Sequence, residues 1–135
     1  MKRPKIIELK KFLNNRGGLV PITFDKKFPI KVKRFFLIYG NKKFTRGDHA
    51  HKKCSQILYP VLGKFIISVV FNNRKKKYIL DSKKIKSLLL PPKTWCSIKF
   101  LNQKSSLLVL TDYEYDFKDY IETFDDFLKF KNKKK

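Results

Sequence analysis

Arg46-Gly47-Asp48-His49-Ala50-His51-Lys52-Lys53-Cys54-Ser55-Gln56 contains both histidines of a 135-residue chain. Chemistry that needs an imidazole therefore has one place to happen. His49 and His51 stand two residues apart, and on a strand alternate side chains share a face. Both rings are expected to look the same way. Ile57, Leu58, Tyr59, Val61 and Leu62 follow, a run of residues that suits a half-buried pleated surface, and Gly63 closes it. The stretch predicts a histidine-bearing strand. An imidazole titrates near neutrality, at about pH 6.5 when unperturbed, which fits it for moving protons.

The spacing Gly47-x-His49-x-His51, with Gly63 downstream, resembles the first half of a cupin motif. Gln56 occupies the place where that motif has a carboxylate. The second half falls at Pro91-Pro92-Lys93-Thr94-Trp95-Cys96, with Cys96 at its histidine position. An oxygen-activating iron or manganese site wants carboxylate or imidazole ligands, and a neutral amide is a poor substitute. A zinc set of His49, His51 and Cys96 stays open, since zinc accepts nitrogen and thiolate together. The expectation is a site with no metal and no cofactor, its histidines free for proton transfer.

The length fits one domain spanning residues 1–135, large enough for a core without disulfides or metal. The basic N-terminus carries no apolar h-region, because Ile6-Ile7-Glu8-Leu9-Lys10 breaks off too early. No apolar run approaches the roughly 20 residues needed to cross a bilayer. Two cysteines, Cys54 and Cys96, suit a reducing cytoplasm. A cytoplasmic protein with no membrane partner is expected.

The net charge of +22 invites a nucleic-acid partner. Against it, 28 lysines stand beside only 5 arginines, whereas base and phosphate readers lean on the arginine fork. The lysines are also spread along the whole chain, and no nucleic-acid module has its signature here. No nucleic-acid partner is expected. A small anionic substrate such as a nucleotide diphosphate would profit from the same field.

Short apolar runs follow one another with Gly, Pro or Asn between them: Lys5 to Leu9, Leu19 to Phe24, Phe28 to Tyr39, the histidine strand, Lys64 to Phe71, Lys77 to Leu80, Ile85 to Leu90, Trp95 to Leu101 and Ser106 to Thr111. That rhythm means an all-β sandwich or barrel. Arg16-Gly17-Gly18 reads as a turn, and Pro21 marks an edge strand. Lys64 to Phe71 reads as a strand buried on both faces. In the third run Ile30, Val32, Arg34, Phe36 and Ile38 share one face. An arginine in that inward row either pairs with a carboxylate at the rim or faces a phosphate or sugar. Near the end Phe117, Tyr120, Ile121, Phe124, Phe127 and Leu128 recur at three and four, which predicts an amphipathic helix over Asp119 to Phe130. Asp116 is its expected cap, and Lys131 to Lys135 a frayed basic tail.

The whole string is similar to the sugar 3,4-ketoisomerases of deoxysugar biosynthesis, small cupins acting on dTDP-4-keto-6-deoxyglucose. The likeness runs from about Lys5 to Phe130. It is carried by Asn15-Arg16-Gly17-Gly18-Leu19-Val20, Pro29-Ile30-Lys31-Val32-Lys33-Arg34, the histidine string with Gln56, Trp95, and Val109-Leu110-x-Asp112-Tyr113-x-Tyr115-Asp116-x-x-Asp119-Tyr120-Ile121. The resemblance implies a metal-free cupin jelly-roll β-barrel with a C-terminal amphipathic helix. It implies a homodimer with exchanged N-terminal strands, and a dTDP-linked 4-keto-6-deoxy sugar as substrate. His49 matches the family's base, and His51 would pass or place protons for the sugar oxygens. Arg34 and Arg46 match residues around the sugar and diphosphate, and Gln56 would hold a hydroxyl or orient an imidazole. Trp95 also falls at a family position. The pair Arg16 and Cys96 falls where the family separates galacto from gluco products; Arg16 resembles the galacto branch. The chain departs from the family's tyrosine at Phe36 and from its His or Arg at Cys96.

Three other readings stay in view. A dTDP-sugar 3,5-epimerase is also cupin-like but needs a His–Asp dyad and a catalytic tyrosine. A nucleotide-sugar or nucleic-acid binding module would keep the pocket without turnover. A metal-dependent oxygenase would need the ligands that Gln56 and Cys96 do not supply. The non-functional alternative is a satisfied polar cluster within the core.

Overall fold

The computed structural model describes residues 3–84 and 86–132. Strands are numbered in chain order. One sheet runs β1 (Lys5–Glu8), β9 (Lys86–Leu90), β6 (Gln56–Leu62), β11 (Ser105–Thr111), β4 (Arg34–Gly40). The other runs β12 (Tyr120–Ile121), β5 (Thr45–His51), β10 (Trp95–Phe100), β7 (Lys64–Phe71), β8 (Arg74–Asp81). Every pairing is antiparallel. A separate hairpin joins β2 (Phe12–Asn14) to β3 (Gly17–Leu19), and the helix α1 covers Phe124–Asn132. The two five-stranded sheets face each other without closing at their edges, a cupin-like jelly roll with a C-terminal helix.

Alternation along the strands builds the core. Leu58, Phe65, Ile67, Leu80, Leu88, Phe100, Leu107 and Val109 point between the sheets and are fully buried. Phe65 and Phe100 meet edge to face at 5.6 Å. Each such side chain contributes roughly 1.5–3 kcal/mol by leaving water. The turn between β7 and β8 is Asn72-Asn73, both at positive φ (49° and 62°), the handedness a two-residue hairpin needs.

Four expectations are corrected. Residues 20–24 are not a strand, because Pro21 ends the short pairing of β3. Of the run from Phe28, only Arg34–Gly40 is a strand; Arg34, Phe36 and Ile38 do share the inward side. β7 is buried on its inner face and half-covered on its outer face, so it is not a two-sided core strand. The expected helix from Asp119 begins at Phe124 instead. Phe117–Asp119 forms a 3-10 turn capped by the Asp116 side chain, and Tyr120–Ile121 pairs with β5. The helix cap is Thr123, whose hydroxyl accepts from the Asp126 N–H at 3.1 Å. Tertiary pairing with the histidine strand has overridden the helical period. Ile85 and residues 133–135 of the expected tail lie outside the described residues.

One irregularity positions the site. On β10 the neighbours Cys96 and Ser97 face His49 and Gly47 of β5, so Asp48 is an extra residue. Gly47 (φ 87°) and Asp48 (φ 55°) carry this bulge, and a bulged residue of positive φ favours Gly. Arg46 lies three positions before His49, so strict alternation would put it on the opposite face. The bulge restores it, setting Arg46 opposite the inward Ile98 and His49 opposite the inward Cys96. A Cβ on Gly47 would come within 2.8 Å of the Cys96 carbonyl oxygen. Gly47→Ala is therefore expected to cost about 2 kcal/mol or more, read as a lower urea midpoint. An unchanged midpoint would mean that the bulge is not under this constraint.

Candidate active site

A cavity of about 500 Å³ opens between the sheets at the β4 and β5 side, lined among others by Arg34, Arg46, His49, Gln56, Cys96 and Tyr120. Behind it lies a void of about 10 Å³, bordered by His51, Cys54 and Asp119 and sharing Arg34, Gln56 and Tyr120 with the larger space. A roomier cleft of about 910 Å³ sits at the opposite edges of the sheets, between β1 and β8. It offers Arg3, Lys5, Arg74 and Lys76 but no imidazole or carboxylate, so the chemistry belongs to the first cavity.

His49 and His51 share a face as their spacing requires, their rings meeting edge to face at 5.0 Å. They are not equivalent. His49 lines the open cavity, whereas His51 is one layer deeper and only 7% exposed. Tyr120, directly opposite His51 across the β5–β12 pairing, touches both rings, at 4.4 Å to His51 and 5.2 Å to His49.

Both nitrogens of His51 are engaged. Nδ1 lies 3.1 Å from Asp119 Oδ2. A carboxylate only accepts, so Nδ1 carries a proton and donates. Nε2 lies 3.3 Å from the Gln56 side-chain nitrogen, and in a neutral ring it is the acceptor of that N–H. The ring is held neutral: its pKa falls from 6.5 to about 4, because burial disfavours the cation and the neighbouring His49 adds to this, outweighing the Asp119 carboxylate. Asp119 also accepts from the backbone N–H of Lys53 at 2.7 Å and of Cys54 at 3.3 Å.

Arg34 reaches the same wall from β4, its guanidinium 4.8 Å above the Phe36 ring and 5.4 Å above Tyr115. Burial raises the Tyr120 phenol, with the Arg34 guanidinium beside it pulling the other way, so the hydroxyl stays protonated and can donate. Cys96 is buried opposite His49, and burial pushes its thiol up to about 12.

Two expected site residues are not brought in. Trp95 turns to the outer face of β10 and packs on Phe124 and Phe127 of α1, at 5.4 and 5.8 Å. It serves the helix contact and not the cavity of its own chain. Arg16 is exposed at the tip of the β2–β3 hairpin, its N–H held by the Asn14 side chain at 2.8 Å. Asp119 and Tyr120 enter unforeseen: they belong to the matched terminal string, but the helical period disguised their role.

His51, Cys54 and Asp119 offer three ligand atoms within 4.8 Å of one another. In the structure each of the three is already engaged with another partner. The Nδ1 proton and the carboxylate already satisfy each other, the Cys54 thiol donates to the Ser55 carbonyl at 3.4 Å, and burial pushes that thiol up to about 12. This is also a different set from the zinc ligands left open by the sequence, and Gln56 spends its amide on His51.

The His51 shift has a consequence for stability. Unfolded His51 takes up its proton near pH 6.5 and folded His51 only near pH 4. Between those values the unfolded chain binds more protons, so stability declines as pH falls through that window, by about 3 kcal/mol at most. Urea midpoints of wild type and His51→Gln, followed from pH 7 to pH 4, should diverge accordingly. Parallel curves would show that the ring is not buried neutral.

The comparisons with known proteins agree with this geometry. The family model described as WxcM-like, C-terminal (FdtA) matches residues 2–132. The TDP-4-oxo-6-deoxy-alpha-D-glucose-3,4-oxoisomerase of Aneurinibacillus thermoaerophilus is 33% identical over 127 residues, covering 93% of this chain and 91% of that protein. A 3,4-ketoisomerase from Helicobacter canadensis superposes with a TM-score of 0.89 at 30% identity, over 96% and 97% of the two chains. The sugar 3,4-ketoisomerase QdtA of Thermoanaerobacterium thermosaccharolyticum, solved with TDP, gives 0.90 at 28% identity, over 98% and 96%. Matched over residues 2–132 and 33% identical to a named 3,4-oxoisomerase, the chain belongs to the WxcM-like, C-terminal (FdtA) family and is an isomerase of the 3,4-ketoisomerase kind.

Proposed function

We propose that the protein converts dTDP-4-keto-6-deoxyglucose to a dTDP-3-keto-6-deoxyhexose, feeding the synthesis of 3-amino-3,6-dideoxysugars. The single observation that carries this reading is His49 on the wall of an open cavity, edge to face with a neutral His51 and flanked by Arg34 and Arg46. His49 takes the proton from C3, which the neighbouring C4 carbonyl acidifies. The C–H electrons form a C3–C4 double bond and negative charge gathers on O4. The O3 proton moves to O4, and C4 is protonated as the ketone forms at C3; no hydrogen is gained or lost. Arg34 and Arg46 stabilise the developing oxyanion and the diphosphate, and Gln56 holds a hydroxyl while donating to His51. His51 passes protons between the oxygens through that wall. No step calls for a metal or a cofactor, in keeping with the poor ligand set. Arg16 leans toward the galacto configuration at C4, while Cys96, which stands opposite His49, matches neither branch.

The active form is read as a homodimer. The β2–β3 hairpin pairs only with itself among the described residues, and an isolated hairpin is marginal in water. It exposes Phe12, Leu13 (68%) and Leu19, while the outer face of β4 exposes Phe35, Leu37 and Tyr39 (70%). Exchange of N-terminal strands would cover such surface and carry Arg16 toward the partner's cavity. No described helix is long and apolar enough to cross a membrane. The reading assigns the enzyme to the cytoplasm on other grounds, two free cysteines and a nucleotide-sugar substrate.

Incubation with dTDP-4-keto-6-deoxyglucose is expected to give a 3-keto sugar, seen by proton NMR and trapped by a C3 aminotransferase, with turnover untouched by chelator. His49→Asn should lower kcat by about 100-fold or more in a folded protein; wild-type turnover would remove His49 from the role of base. Deuterium entering from solvent at C5 would instead favour the 3,5-epimerase. Light scattering behind size exclusion should return twice the chain mass, and a monomer with full activity would end the exchange reading.

A further inference from the structure

Asp119 makes four hydrogen bonds to one short segment. Its Oδ1 accepts from Lys53 N–H at 2.7 Å, its Oδ2 accepts from Cys54 N–H at 3.3 Å and from His51 Nδ1 at 3.1 Å, and its carbonyl accepts from Lys52 N–H at 2.9 Å. It is buried at 8% exposure. Three of these bonds hold a turn, which is a structural task an amide could largely perform. The fourth sets the proton on an imidazole.

We propose that Asp119 is a positioning residue of the reaction, holding His51 in the tautomer that carries its proton on Nδ1 and keeps an acceptor, Nε2, directed at Gln56 on the cavity wall. The proposal rests on the isomerase reading of this site and extends it to a residue that does not line the open cavity. The physical argument is one of complementarity. With the proton on Nδ1, the donor Gln56 N–H meets a lone pair, and when that amide yields its place to a substrate hydroxyl the same lone pair can receive a proton from the cavity side. With the proton on Nε2, two donors would face each other across 3.3 Å unless Gln56 turned its amide over. His51 would then have no acceptor on the side of the chemistry. The carboxylate also sets a negative charge behind the imidazole pair, which steadies the cation formed when His49 takes the substrate proton. A second His on the same face is useful only in one of its two neutral forms, and Asp119 selects that form.

Asp119→Asn keeps the two shorter bonds of the turn, from Lys52 and Lys53 N–H, and gives up the 3.3 Å one from Cys54 N–H, which shares Oδ2 with the imidazole. The Asn oxygen keeps the short bond from Lys53 N–H, leaving the amide NH2 in the place of Oδ2. That group donates, so Nδ1 must become the acceptor and the ring proton moves to Nε2. The chain has two histidines, so a 15N-histidine sample gives four ring-nitrogen resonances and the tautomer is read directly. In wild type at pH 7 one ring is expected with Nδ1 protonated and Nε2 bare, assigned to His51 by its loss in His51→Gln. In Asp119→Asn the pattern should invert, kcat should fall by about 100-fold or more, and KM should move less than about threefold.

Several results overturn the proposal: a wild-type His51 protonated on Nε2, an Asp119→Asn ring that keeps its Nδ1 proton, or an inverted ring with wild-type kcat. Should Asp119→Asn fail to fold, the wild-type spectrum alone decides whether the required tautomer exists. The nitrogen spectra need no substrate. A wild type with no ketoisomerase turnover would sink the functional reading, while the spectra would still decide whether Asp119 selects the tautomer.

Discussion

Four consecutive backbone N–H groups, from Lys52 to Ser55, find their acceptors in two aspartates far along the chain. Lys52, Lys53 and Cys54 donate to Asp119, and Ser55 donates to Asp112 Oδ1 at 2.7 Å, with Asp112 N–H returning to the Ser55 carbonyl at 3.3 Å. Buried N–H groups left without partners would each cost about 1–3 kcal/mol, so the turn after the histidine strand is stable only with the C-terminal segment in place. The turn links His51 at the end of β5 to Gln56 at the start of β6, residues from opposite sheets. Their hydrogen bond, and with it the back wall of the cavity, depends on this staple. Seven of the eleven acidic residues fall between Asp112 and Asp126. Two of them do this work.

The front wall depends on parity. A strand offers only two faces, and a residue an odd number of positions from His49 would be lost to the outer one. The extra residue at Asp48 changes the count once and returns Arg46 to the inner side. Its companion Arg34 needs no such device, because β4 alternates regularly from Arg34 to Gly40. One cation therefore reaches the cavity through a backbone defect and the other through plain alternation.

Much of this was legible beforehand, for reasons that can be stated. The strand rhythm and the same-face histidines follow from a period of two, which local sequence records directly. The inward row of Arg34, Phe36 and Ile38 was legible in the same way. Tyr120 and Asp119 were not, since Phe117, Tyr120, Ile121 and Phe124 also satisfy a helical period. What chose between the two was pairing with β5, a long-range partner that no local window contains. For Trp95 the signal was local: being adjacent to Cys96 in sequence puts it on the other side of the strand, against the helix and away from the cavity of its own chain. Arg16 sits on a hairpin that pairs only with itself among the described residues, so only the family resemblance, and not the fold of one chain, points it toward a cavity. Its place follows only from the exchange proposed for the dimer.

The charge balance of the site follows from which force wins at His51. The chain carries +22 overall, and Arg34 and Arg46 border the cavity where an anionic diphosphate would lie. A further fixed cation beside His49 would oppose the imidazolium that the proposed proton abstraction creates. The Asp119 carboxylate by itself would push His51 toward that cation, since it raises the ring's pKa. Burial, His49 and Arg34 lower it, and the balance settles near 4. Desolvation is the largest of these effects. The depth of His51, more than its partner, keeps it neutral. On His51 itself, Asp119 then decides where the single proton sits. In the proposed reaction the arginines would supply the positive charge for binding and the buried ring none, so that His49 becomes its one new cation.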